Sequence, residues 1–155
     1  MKLAESWLAA YSEGHTVPAN KVLHWVCAPV LAASIVGLLW SLPVPETFSS
    51  SSKIFNWGTL AVMTVVVYYF ILSIRLAFGI LPFVICVVLG IAKLDTLQIP
   101  LWLVSSTGIG VAGLGQLVGH FIEGGNASLM RDIHYVAIAP LWMLAAVYRR
   151  LGITI

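Results

Sequence analysis

Lys53–Lys93 reads KIFNWGTLAVMTVVVYYFILSIRLAFGILPFVICVVLGIAK, and Arg75 is its only internal charge. A straight helix over this stretch would be about 60 Å long at 1.5 Å per residue, twice the hydrocarbon thickness of a bilayer. The chain must therefore turn near Arg75 and cross an apolar medium twice, over Ile54–Ile74 and Leu76–Ala92.

The same reading extends outward in both directions. Lys21–Leu42 is long and apolar enough for an earlier span, stopped by Pro43-Val44-Pro45. Glu46 through Lys53, with four serines in a row, makes a polar turn. Lys93-Leu94-Asp95 marks the next interface, and Pro100 fits the first turn of a fourth helix running to about Phe121. Glu123-Gly124-Gly125-Asn126 ends that helix, with glycine as the expected stop. Asp132–Tyr148 is a fifth span, with Arg149-Arg150 anchoring its far end. Leu3, Trp7, Leu8 and Tyr11 recur at helical spacing among Glu5, Ser6, Ser12 and Glu13, which predicts a short surface helix. The expected architecture is all-α: one polytopic membrane domain over 1–155, with about five transmembrane helices and an N-terminal interfacial helix. No internal repeat is present.

Composition agrees. Of 155 residues, 60% are hydrophobic and 9% charged. Soluble domains carry about a quarter charged residues, and a chain this short cannot bury so much apolar surface in a water-soluble core. A net charge of +2 gives no basic footprint for nucleic acid. Glu13 comes before any apolar run long enough for a secretory leader, so the first span is expected to insert the chain and stay. Cys27 and Cys86 fall inside apolar spans and read as small hydrophobes, with no disulfide or metal pair expected.

Counting crossings places His15, His24, His120 and His134 on one side of the membrane. His15 and His24 open the first span, His120 closes the fourth and His134 opens the fifth. Asn20 and His24 are i,i+4 neighbours, and Pro18 suits the first helical position with Thr16 or Val17 as cap. Gln116, His120 and Glu123 share a face by the same spacing. Neutral imidazole is the commonest ligand for iron and zinc, oriented by carboxylates and amides behind it. Three or four histidines with a nearby carboxylate suit non-haem Fe(II) or zinc, and the lack of a nearby thiolate disfavours an iron–sulfur centre.

Plainer roles exist for each feature. Histidine and asparagine near an interface also serve as interhelical hydrogen-bonders, and Glu123 can cap a loop. Trp7, Trp25, Trp40, Trp57, Trp102 and Trp142 read mainly as an interface belt. Gly115-x3-Gly119 is the close-approach pattern of packed membrane helices. Pro29, Pro82 and Pro140 are expected to kink their spans.

Tyr11, His15, Pro18, Asn20, Lys21, His24, Trp25 and Pro29 form one block. Gln116, Gly119, His120, Glu123 and Gly124 form a second, followed by Asp132, Pro140, Trp142 and Tyr148-Arg149-Arg150-Leu151-Gly152. On these residues the chain resembles the Mpo1-like membrane proteins over nearly its whole length. The resemblance implies an Fe(II)-dependent α-oxidation that shortens a long-chain 2-hydroxy fatty acid by one carbon, using O2 and releasing CO2. It implies His15, His24 and His120 as ligands at matching positions. His134 falls where relatives often carry glutamine, and is the expected fourth ligand. Asn20, Gln116 and Glu123 would hold imidazole N–H groups, and Tyr11 would bond a substrate carboxylate or an iron-bound oxygen. The acyl chain would lie between spans. Membrane lipid is the surrounding partner, in a bacterial inner membrane or the endoplasmic reticulum. The rival readings are a b-type haem carrier, a zinc hydrolase with Glu123 as base, and a non-catalytic scaffold. Lys and Arg divide equally between the two sides on this count, so the orientation rule for cytoplasmic positive charge is tied.

Overall fold

The computed structural model describes residues 17–46, 54–124 and 129–152; at residues 123 and 129–139 it describes the backbone alone. Among the described residues there are five helices: α1 Pro18–Trp40, α2 Trp57–Leu72, α3 Ile74–Leu94, α4 Leu101–Glu123 and α5 Leu129–Arg150.

Local chemistry explains their ends. α1 stops three residues before Pro43, with the Ser41 hydroxyl bonded back to the Gly37 carbonyl at 2.8 Å. Asn56 caps α2, its Oδ1 accepting from the Thr59 N–H at 3.0 Å. That cap starts α2 three residues later than Ile54 and leaves it 16 residues long. The turn expected near Arg75 is at Ser73, one extended residue that ends α2 and caps α3. Pro100 is the cap of α4 and lies just outside its first turn. Pro29, Pro82 and Pro140 all lie inside helices.

Among the described residues three helices, α1, α3 and α4, are long and apolar enough to cross a membrane. α2 is apolar throughout but falls short of the roughly 20 residues a span needs. Large apolar side chains point outward along the bundle: Ile71 is 76% exposed, Phe121 72% and Val111 66%. Hydrocarbon is the solvent that suits such a surface, and helices leave no backbone polar group open to it.

α1 is the hub. It packs closely on α4, and α2, α3 and α5 gather on its other side. α4 runs antiparallel to α1: Gly37 meets Ser105, Ser34 meets Gly108 and Cys27 meets Gly115. α2 runs back along α1, with Gly58 against the Val36 carbonyl and the Trp40 N–H. One core joins Ala28, Tyr69, Leu72, Leu76, Ala77, Ile80, Leu141, Trp142 and Ala145. A smaller one at the other end joins Trp40, Ile91 and Leu101.

Two sequence expectations are corrected. Trp40 and Trp142 are buried in these cores instead of joining an interface belt; Trp57 and Trp102 are exposed. Arg149-Arg150 does not anchor the end opposite the histidines. The Tyr148 hydroxyl donates to the Arg75 carbonyl at 3.3 Å, and Leu144 and Tyr148 both lie against Gly79. These contacts place Tyr148, near the end of α5, against the first turns of α3 and beside the Ser73 turn. Counting crossings missed this because it assumes that every apolar segment runs the full depth. The N-terminal interfacial helix lies outside the described residues.

Candidate metal centre

Pro18 opens α1 at a position where a missing N–H breaks no helical bond. Val17 precedes it in extended backbone and makes no side-chain cap. The helical repeat from Pro18 places Asn20 and His24 on one buried face, with Asn20 fully enclosed and His24 5% exposed. Polar groups at such depth are costly unless engaged. Both residues are engaged, although no hydrogen bond among the described residues reaches Oδ1 of Asn20 or Nε2 of His24.

Glycines on α4 allow the approach. A β-carbon on Gly115 would lie 2.5 Å from Sγ of Cys27, and one on Gly119 would collide with Oδ1 of Asn20. The expected close-approach pair is therefore in use. Its partners, Asn20 and Cys27, were not recognised from sequence; their spacing of two helical turns was the available signal.

This contact brings the rings of His24 and His120 together. Their centres are 5.8 Å apart and the rings stand edge to face at 87°. Two imidazoles sharing one ion at about 2.0–2.1 Å from nitrogen hold their ring centres roughly 4.5–6 Å apart, depending on the angle at the metal. The separation of the pair falls within that interval. Gln116 lies half-buried one turn before His120. Glu123 is the last residue of α4, ended by Gly124 in the left-handed region at φ 71°.

The side chains of the remaining expected site residues are not described. Tyr11 and His15 lie outside the described residues. His134 is on α5, and its side chain, like that of Glu123, is not described. Among the described residues no three His, Cys, Asp or Glu converge as a metal site.

A family model described as "2-hydroxy-palmitic acid dioxygenase Mpo1-like" matches residues 1–151. The chain belongs to the Mpo1-like family. The match spans both histidine blocks, including Tyr11 and His15. Comparison with curated proteins and with solved structures finds no match.

Proposed function

We propose that this Mpo1-like chain is an Fe(II) dioxygenase that shortens a long-chain 2-hydroxy fatty acid by one carbon within the membrane. The observation that carries the reading is the buried His24 set against His120, in a chain whose family bears a dioxygenase name. His24 and His120 would hold the ion, with His15 as third ligand and His134 as fourth. Bound iron supplies the one-electron chemistry with O2 that zinc lacks. One 2-hydroxy acid and one O2 give the acid one carbon shorter, CO2 and water. The substrate yields all four electrons, so neither a nicotinamide nor a 2-oxo acid is required.

The chain's own residues position and enclose. Asn20, Gln116 and Glu123 orient the imidazoles through their second ring nitrogens. Tyr11 receives the substrate carboxylate. The packed start of α1 excludes water from His24. An apolar cavity of about 330 Å³ lies between α1, α2 and α3, with Pro140 of α5 on its wall. Ala32 and Leu39 bracket it on α1, roughly 12 to 22 Å beyond His24 at 1.5 Å per residue. One acyl tail fills about half the hydrocarbon core, roughly 15 Å, so the distal part of a tail held at His24 reaches this depth.

A haem between His24 and His120 is disfavoured. α1 and α4 touch at Asn20–Gly119 and again at Cys27–Gly115, which leaves no slot for a flat macrocycle between the rings.

Iron-loaded membranes under air should convert a long-chain 2-hydroxy acid to the acid one carbon shorter. Under argon, or loaded with zinc, they should not. Equal turnover with zinc, or turnover without O2, would exclude the dioxygenase and favour a hydrolase with Glu123 as base.

A further inference from the structure

We infer that Val36 and Val87, backed by Trp40, form the stop against which the terminal methyl of the substrate tail rests, and so set the longest 2-hydroxy acid the chain accepts. The inference deepens the dioxygenase reading: it rests on that reading's placement of the acid head at His24, not on the chemistry done there.

The apolar cavity has two unlike ends. Tyr69 and Ile80 stand at one, and both belong to the core that contains Ala28. Val36 and Val87 stand at the other, and both pack against the buried cluster of Trp40, Ile91 and Leu101. Every lining side chain is hydrocarbon apart from the Tyr69 phenol. Such walls suit a methylene chain and offer no partner to a carboxylate or a headgroup.

The Tyr69 end is the one toward His24. His24, Ala28, Ala32 and Val36 follow one another at four-residue intervals and so form one strip along α1. The strip runs from the imidazole to the far wall, and its two middle residues are alanines. From His24 to Val36 is about 18 Å at 1.5 Å per residue. An acyl tail fills half the hydrocarbon core, roughly 15 Å. A tail headed at His24 therefore ends near Val36.

A length limit needs a wall that does not yield. A β-carbon on Gly58 would lie 2.7 Å from the Val36 carbonyl oxygen and 3.0 Å from the Trp40 nitrogen, so the first turn of α2 is seated directly on the α1 backbone there. Behind the wall, Trp40, Ile91 and Leu101 join α1, α3 and α4. In a close-packed cluster even one added methylene is felt. Each methylene kept out of the cavity forfeits a factor of about four in binding.

The test uses purified protein in phosphatidylcholine nanodiscs and 2-hydroxy acids of graded length, each with a diazirine at the tail end. Illumination and peptide mapping read where the tail ends, with or without turnover. A probe of the preferred length should mark α1 near Val36 and α3 near Val87; a probe about six carbons shorter should mark residues nearer Tyr69 and Ile80. Phosphatidylcholine carrying the same diazirine should label the wall at least tenfold less. In iron-loaded membranes under air, Val87→Ala should raise kcat/KM by about fourfold or more for an acid two carbons beyond the wild-type optimum. Val36→Phe should move the optimum to shorter acids. Labelling away from Val36 and Val87, equal labelling by phosphatidylcholine, or an unchanged length profile in both variants overturns the stop. Labelling at the wall in a protein that turns over no 2-hydroxy acid sinks the dioxygenase reading and leaves the stop in place. Turnover with labelling elsewhere sinks the stop alone.

Discussion

Oδ1 of Asn20 occupies the space that a β-carbon on Gly119 would need. The contact sits one turn from His24 on α1 and one residue from His120 on α4. It therefore sets how closely the two imidazoles approach.

Gly119→Ala should push α1 and α4 apart. Overpacking of this kind costs about 1–3 kcal/mol, and both metal content and thermal stability in detergent should fall. Gly110→Ala is the control, because nothing lies within 4 Å of its β-carbon position. Indistinguishable melting and metal content in the two variants would show that the close approach is absent.

His24→Ala and His120→Ala should each abolish bound metal or lower it sharply, measured by elemental analysis of purified protein. The same is expected of His15→Ala. His134→Gln should retain part of the metal, since the glutamine amide oxygen keeps an electron-pair donor at that position. Full stoichiometry in all three alanine variants would make the histidines structural.

Filling the apolar cavity should change which chains are accepted. Ala33→Phe and Ala61→Phe narrow it from α1 and α2. Turnover of a long-chain 2-hydroxy acid should drop several-fold through KM, while a short-chain analogue should be little affected. An equal loss for both lengths would separate the cavity from the substrate tail.

Asn56→Ala removes the cap of α2, whose Oδ1 accepts from Thr59 N–H at 3.0 Å. Caps of this type contribute about 0.5–2 kcal/mol. The melting temperature should fall with metal content unchanged, because α2 starts at the end remote from His24. A variant that melts like the parent would remove the cap from the account of α2.

Much of the helix content was legible in the residues. Pro18 at the start of α1, the break beside Arg75 and the glycine stop at Gly124 each restrict the backbone locally, so their effects appear in any environment. The pairing of Asn20 with His24 was equally legible, because it follows from helical spacing alone. The meeting of His24 and His120 was anticipated only as a shared side of the membrane. Ninety-six positions separate them, and contact depended on two glycines on α4 matching Asn20 and Cys27 on α1. The position of Arg149 and Arg150 was not legible at all. Apolar runs state that a segment prefers hydrocarbon, but not how deep it goes or which way it returns. That was decided by packing: Leu144 and Tyr148 fit against Gly79, and the Tyr148 hydroxyl finds the Arg75 carbonyl just below the α2–α3 break.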